Sequence, residues 1–363
     1  MHVAVACGGT GGHIFPGLAT ADELIHRGHE VTLWLAGKDV ENEAVGAWPG
    51  KVHTVPARGL PSGLSVSSGI AAFNLIRAIK NVKIDMSKNR PDILLAMGSY
   101  ASVGPVGAAI RMGVPFVMHE SNVIPGRAVK MLSRWAVTVA GCFEETRFYL
   151  RRRNLEITGM PLRREILDSA AQSNQPAGCF RVLIMGGSRG AVRINELAGE
   201  ALIALHGKGL ALQVVHLTGE KDRERMVGRY HDAGVPAHVL SFTRDIGALY
   251  RQSDFAICRA GAATCAELSA FGLPSLLIPY PYAIHDHQTA NARAMEKVGA
   301  ADMVPEGDVT VEWLTSYIAQ MISRVERRKA MSEAAKSRAT GNGAVKLADL
   351  IERIASEVPH ARR

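Results

Sequence analysis

The 363-residue chain is long enough for two domains of ordinary size. Hydrophobic residues at 47% and charged residues at 21% exclude disordered, collagen-like and coiled-coil classes, and 36 glycines without a Gly-X-Y period point to many tight strand-to-helix turns. The balance of 42 basic against 34 acidic residues, formally +8, predicts attraction to polyanions: nucleotides, nucleic acid or an anionic membrane surface.

Short apolar runs, each closed by glycine or polar turn residues and followed by a helix-like stretch, recur along the chain. They cover 2–7, 31–36, 93–97, 115–119, 136–140, 181–185, 212–217, 255–258 and 275–279. Runs apolar on both faces suit strands buried between helices, and their alternation with helices predicts an α/β protein with doubly wound parallel sheets. The first run feeds Gly8-Gly9-Thr10-Gly11-Gly12, and a run near the middle feeds Gly186-Gly187-Ser188-Arg189-Gly190. Two such openings half a chain apart predict two Rossmann-like domains, 1–163 and 164–340. A polar, aperiodic stretch, Ser169–Gly178, places the linker somewhere in 163–178. Beyond it, 341–363 reads as an amphipathic helix (Val345, Leu347, Leu350, Ile351, Ile354) able to pack back on the first domain.

Glycines at a strand-to-helix turn let backbone N–H groups and the helix N-terminus approach a phosphate. Neither turn is a dinucleotide fingerprint, because Ile14 stands where the third glycine belongs, and neither is followed by the Gly-Lys-Ser/Thr of a P-loop. A packing turn without a ligand is the other reading. His13 follows the first turn and would face the cleft at the strands' C-terminal ends, as a general base or as a satisfied turn histidine.

Further along, Ala71–Lys88 alternates Phe73, Leu75, Ile76, Ile79, Val82 and Ile84 with Arg77, Lys80, Lys83 and Lys88. Such a helix suits either an ordinary core face or an anionic lipid surface. His119-Glu120-Ser121-Asn122 follows a buried strand, making Glu120 a second candidate base and Asn122 a sugar or amide contact. Arg163 and Arg164 near the domain junction suit a diphosphate or a solvated pair. In Cys258–Glu267, Thr264 reads as an N-cap with Glu267 at the capping-box position, or with Glu267 accepting ribose hydroxyls. His285-Asp286-His287 invites a metal reading, but no third ligand is evident. Five cysteines without a Cys-x-x-Cys pair predict a reducing compartment, and no apolar window is long enough to span a bilayer.

Taken in order, Gly8–His13 with Phe15-Pro16-Gly17, Gly98-Ser-Tyr-Ala-Ser102, His119–Asn122, Gly159-Met-Pro-Leu-Arg163, Gly186–Gly190, Cys258–Glu267 and Asp286-His-Gln-Thr-Ala-Asn291 closely resemble the MurG family. These are the bacterial N-acetylglucosaminyltransferases that make lipid II. The resemblance implies the GT-B fold, two Rossmann-like domains facing across a cleft. It implies inverting transfer of N-acetylglucosamine from UDP-N-acetylglucosamine to the muramoyl 4-hydroxyl of undecaprenyl-pyrophosphoryl-muramoyl-pentapeptide (lipid I), with no metal or other cofactor. Ser188 and Arg163 would contact the UDP phosphates, Glu267 the ribose, and Ala262, Ala263 and Thr264 the diphosphate and sugar. Gln288 would read the sugar hydroxyls, the backbone near Phe242 and Thr243 the uracil, and Thr10, Gly11, Gly12 and Asn122 would close the donor site. Gly98, Ser99 and Tyr100 would face the acceptor's pyrophosphate, and His13 or Glu120 would be the base.

The resemblance also implies a peripheral location on the cytoplasmic face of the bacterial inner membrane, docking through Ala71–Lys88, and the company of other cell-wall synthesis proteins. Met160, where the family has Asn, and His287, where a second Gln is frequent, blur the sugar contacts. Competing readings are a UDP-N-acetylglucosamine epimerase of GT-B-like fold and a basic nucleic-acid-binding protein; a dehydrogenase is disfavoured by the missing third glycine.

Overall fold

The computed structural model describes residues 1–37, 45–46, 48–55, 66–151, 154–172, 178–187 and 190–357, with the backbone alone for 66–73. The chain divides into two compact units, Met1–Arg163 with Asn342–Arg363, and Arg164–Gly341.

In the first unit β1 (His2–Ala6) leads into α1 (Gly11–His26), followed by β2 (Glu30–Leu35), β3 (Lys51–Thr54), α2 (Val66–Lys88) and β4 (Ile93–Ala96). Then come α3 (Val103–Met112), β5 (Phe116–Glu120), α4 (Arg127–Leu132), β6 (Thr138–Gly141) and β7 (Leu155–Ile157). The strands form one parallel sheet in the order β3-β2-β1-β4-β5-β6-β7. Side chains alternate across it. Val3, Val5 and Cys7 pack under α1, while Ala4 and Ala6 face a layer built from α2, α3 and α4 through Val82, Met86, Val106, Ala109, Val129 and Leu132.

The second unit runs α5 (Arg164–Ala170), β8 (Phe180–Met185), α6 (Val192–Gly207), β9 (Leu212–Leu217), α7 (Arg223–Asp232), β10 (Ala237–Leu240), α8 (Ile246–Gln252) and β11 (Phe255–Cys258). It continues with α9 (Ala262–Phe271), β12 (Ser275–Leu277), α10 (His287–Lys297), β13 (Asp302–Met303), α11 (Val311–Ser323) and α12 (Val325–Arg338). Its parallel sheet has the order β10-β9-β8-β11-β12-β13. Val182 and Ile184 face α6 and α11, Leu183 and Met185 face α8 and α9. Both sheets thus reverse direction of growth at one place, between β1 and β4 and between β8 and β11, where open α/β sheets bind ligands beyond the strand ends.

All nine apolar runs of the sequence are strands, and the four strands outside them, β3, β7, β10 and β13, are the four sheet edges. An edge strand is covered incompletely, so β3 carries Lys51-Val-His-Thr54 with hardly a buried position and no continuous apolar signal. The boundary between the units, Arg163/Arg164, falls at the start of the range expected to hold the linker, and 164–170 is helix, with Ile166 buried and Ser169 Oγ accepting from Arg251 Nη1 at 2.8 Å, so that segment belongs to the second unit. The last helix, α13 (Gly343–Glu357), packs on α1 in the first unit, burying Leu347, Leu350, Ile351 and Ile354 at about 2 kcal/mol each. Arg27 clamps it, donating to Asp349 at 2.7 Å and Glu352 at 2.8 Å, and His29 bonds Glu352 at 2.7 Å. His29 first and Arg27 second hold the Glu352 carboxyl below the usual glutamate range.

Candidate active site

Every candidate residue described lies at the C-terminal end of a strand, on the segment leaving it, or on the helix that such a segment opens. In the first unit, Gly9 adopts a φ of +128°, a region that side chains with a β-carbon rarely enter. A β-carbon there would also sit 3.2 Å from the Ser99 β-carbon, so the two glycine turns, 8–12 and 98–99, lie against each other. Thr10 is the N-cap of α1, its carbonyl accepting from His13 N at 2.9 Å and Ile14 N at 3.0 Å. The amides of Gly11 and Gly12 open the helix, the geometry that favours an anion.

Thr10 Oγ1 lies 3.0 Å from His13 Nδ1. With Nδ1–H donating to the hydroxyl, Nε2 is the unprotonated nitrogen, the tautomer a base requires. The neighbouring turn is equally fixed: Ser99 Oγ accepts from Ala101 N at 3.2 Å, and Ser102 Oγ donates to the Ala6 carbonyl at the end of β1.

Glu120, only 5% exposed, occupies a different environment from His13. Its Oε1 accepts from Asn122 N at 2.9 Å and Asn122 Nδ2 at 3.2 Å, and its Oε2 accepts from Gly126 N at 2.9 Å. Burial pushes this carboxyl up, against the opposing pull of those N–H groups. The side chain therefore stitches loop 121–126 to the end of β5. His119 is buried beside it, donates from Nε2 to the Gly159 carbonyl at 3.2 Å, and is pushed by burial down to about 4, hence neutral. Arg163 lays its guanidinium over the Phe15 ring at 5.1 Å, which brings the Gly159–Arg163 segment to the first turns of α1, two residues beyond His13. The sequence singles out both Arg163 and Phe15 but shows no link between them; a basic residue and an aromatic flanking a glycine turn are the available signal.

In the second unit, Gly190 has φ of +75°, and a β-carbon there would fall 1.9 Å from the Thr218 carbonyl oxygen, so Gly190 is pressed against the end of β9. Ser188 lies outside the described residues. The expected capping box is not formed. Gly261, with extended backbone, is the N-cap of α9, and its carbonyl accepts from Cys265 N at 2.9 Å, so Thr264 lies inside the first turn and Glu267 in the second. Ala262, Ala263 and Thr264 consequently present their backbone at the helix N-terminus. Glu267 Oε2 instead accepts from the Tyr250 hydroxyl at 2.8 Å.

Thr243 Oγ1 accepts from Asp245 N at 3.1 Å, and Asp245 Oδ1 caps α8 through Ala248 N at 3.0 Å, leaving Phe242 exposed beside the cap. Gln288 Oε1 accepts from Tyr280 N at 3.0 Å, which directs its amide nitrogen away from that strand end. His285 and Asp286, immediately before α10, both stand in the left-handed region at φ of 55° and 54°, a strain of about 1 kcal/mol or more each. Asp286 is committed to Thr289 Oγ1 at 2.6 Å and His287 Nδ1 to the Ile284 carbonyl at 2.7 Å. Among the described residues no three acidic, histidine or cysteine side chains gather as a metal site. Arg259, unassigned in the sequence beyond its motif, holds this region together: it donates to the Ile278 and Pro279 carbonyls, pairs with Glu306, and stacks over Tyr280.

Two family models match the chain, the N-terminal domain of glycosyltransferase family 28 over residues 3–141 and its C-terminal domain over 181–353. The chain is 37% identical over 356 residues to the UDP-N-acetylglucosamine–N-acetylmuramyl-(pentapeptide) pyrophosphoryl-undecaprenol N-acetylglucosamine transferase of Geobacter metallireducens, covering 96% of this chain and 97% of the relative. It superposes on crystalline Acinetobacter baumannii MurG with a TM-score of 0.81 at 27% identity, covering 97% of this chain and 99% of that one. A UDP-N-acetylglucosamine 2-epimerase is similar in fold alone, with a TM-score of 0.70 at 14% identity, over 100% of this chain and 97% of that one.

Proposed function

The chain belongs to glycosyltransferase family 28, and on that footing we propose that it makes lipid II. It transfers N-acetylglucosamine from UDP-N-acetylglucosamine to the muramoyl 4-hydroxyl of undecaprenyl-pyrophosphoryl-muramoyl-pentapeptide, with inversion. The observation that carries this reading is the near full-length similarity to transferases of that name, together with glycine turns at the switch point of each sheet.

In the reaction the acceptor hydroxyl gives its proton to His13 Nε2 as its oxygen attacks the anomeric carbon. The bond to UDP breaks with its electron pair on the diphosphate. A Thr10 hydroxyl that accepts from His13 Nδ1–H leaves Nε2 to take the proton. Charge appearing on the leaving diphosphate is met by the amides opening α9. Glu267 takes the ribose, the Phe242–Thr243 backbone the uracil, and Gln288 the sugar. The Gly98–Tyr100 turn, packed against Gly9, receives the acceptor's pyrophosphate. Glu120 has a supporting part, since its oxygens are spent on backbone amides.

Incubation with UDP-N-acetylglucosamine labelled in the sugar and with lipid I is expected to move label into an organic-extractable product. Conversion to the 2-epimer with no lipid product would instead favour the epimerase reading.

The lipid acceptor places the enzyme at the cytoplasmic face of the bacterial inner membrane. Among the described residues no helix is long and apolar enough to cross a membrane. The outer surface of the α2, α3 and α4 layer supports peripheral docking. Ile76 and Ile84 stand outward on α2, each one turn from Lys80 and beside Arg77 and Lys83, while Ile79, Val82 and Met86 serve the core. Met131 and Trp135 are exposed at the end of α4, with Arg134 over the Trp135 ring at 3.7 Å. Phe73 lies outside the side chains described. The enzyme is expected to co-sediment with phosphatidylglycerol vesicles and to be released by salt, with Lys80→Glu/Lys83→Glu binding at least about 30-fold more weakly, since each lost lysine is worth about 1 kcal/mol. Equal sedimentation of both proteins, or none by the wild type, would count against docking through α2.

A further inference from the structure

Tyr250 has no part in the reaction as described, yet its hydroxyl donates to Glu267 Oε2 at 2.8 Å. We infer that Tyr250 is a positioning residue, which fixes the Glu267 carboxylate for the ribose hydroxyls of the donor nucleotide and ties the ribose subsite to the base subsite. This rests on the donor reading given above.

The side chain is 1% exposed, at the last turn of α8, in an apolar cluster with Met185, Leu249, Cys258, Cys265 and Leu268. Its ring lies against Phe271 at 5.2 Å between centroids, so it cannot swing. Phenylalanine would fill this space equally well. A hydroxyl placed there is costly unless it is paired, and its partner is a half-buried carboxylate on a neighbouring helix. A phenol beside a carboxylate can only donate. Burial, and then the charge of Glu267, hold Tyr250 well above its ordinary value, so it remains a neutral donor throughout the physiological range. Glutamate on an exposed helix face samples several rotamers, and one held by a rigid donor arrives at the ligand already oriented.

The same helix connects two subsites. α8 begins at the Asp245 cap, whose backbone N–H donates to Thr243 Oγ1 in the uracil-side loop, and carries Tyr250, bonded to Glu267, in its last turn. Base and ribose contacts are thereby set by one short rigid element.

Equilibrium binding of UDP and of 2′-deoxy-UDP to the wild type and to Tyr250→Phe separates positioning from packing. The wild type is expected to prefer UDP. Tyr250→Phe is expected to bind UDP about tenfold more weakly, the value of one charge-assisted hydrogen bond, while its affinity for 2′-deoxy-UDP changes little and its kcat at saturating donor is kept. Glu267→Gln, a weaker acceptor of the same size, is expected to lose the same preference. Tyr250→Phe keeping the wild-type ratio between the two nucleotides would overturn the inference. A wild type that binds both nucleotides alike would remove Glu267 from the ribose and overturn it too, whereas a wild type that binds no UDP would overturn the donor reading itself.

Discussion

His13→Ala is expected to lower kcat by about two to four orders of magnitude, the range for a positioned general base, while leaving the Kd for UDP-N-acetylglucosamine within about twofold of the wild type. The argument is geometric. His13 sits in the first turn of α1, half-exposed, and its Nδ1 is occupied by Thr10 Oγ1, so the far nitrogen is the one presented to an acceptor. The donor's phosphates and uridine are held elsewhere in the proposed site, which is why affinity should survive. Pre-steady-state transfer and donor titration measure the two quantities separately, and equal losses in both would argue that His13 only shapes the loop. Glu120 supplies the contrast. Glu120→Ala strips three N–H groups of the 121–126 loop of their acceptor, so its first effect is expected in thermal stability. A Glu120 variant that folds as stably as the wild type yet has lost all turnover would restore it as the base. Position alone, directly after a strand, made the two residues equivalent candidates in the sequence; only the hydrogen bonds distinguish them.

That distinction marks what a sequence of this kind can convey. The interior strands were legible because a parallel strand covered on both faces must be apolar throughout, and the four edges were not, because Lys51–Thr54 and Asp302–Met303 face solvent on one side. The glycine turns were legible for a similar reason: Gly9 and Gly190 occupy conformations and clearances that force the residue type. The α9 cap departs from its sequence pattern. Thr264 and Glu267 have the right spacing for a capping box, but an extended Gly261 starts the helix earlier and frees Glu267 to meet Tyr250. Nothing local to the sequence connects positions 250 and 267, or 163 and 15, since each pair is brought together by strand order and not by neighbourhood. Part of the positive charge is spent inside the fold, where Arg27 pairs with Asp349 and Glu352 of the last helix, while Arg163 and the outward lysines of α2 stand where the proposed donor and membrane contacts would use them.

Arg259 is where stability and function should fail together. Arg259→Met is expected to cost the second unit about 3–5 kcal/mol, the usual result of removing one partner from a buried ion pair, and to lower its Tm by about 10 °C or more. Arg259 is 9% exposed, and methionine would match its bulk while leaving Glu306 and the Ile278 and Pro279 carbonyls without their donor. Those carbonyls lie just beyond β12, and the next residue, Tyr280, supplies the N–H that orients Gln288. A loosened strand end therefore releases the proposed sugar-reading side chain, and KM for the donor is expected to rise more than kcat falls. Differential scanning calorimetry with donor titration checks both halves. The double variant Arg259→Met/Glu306→Gln removes the stranded charge and is expected to recover part of the stability, because the larger share of the loss is the uncompensated carboxylate and not the pair itself. It should not recover the donor KM, since the 278 and 279 carbonyls remain unheld. If the double variant regains donor affinity along with stability, the link from Arg259 through Tyr280 to Gln288 is wrong, and Arg259 serves the fold alone.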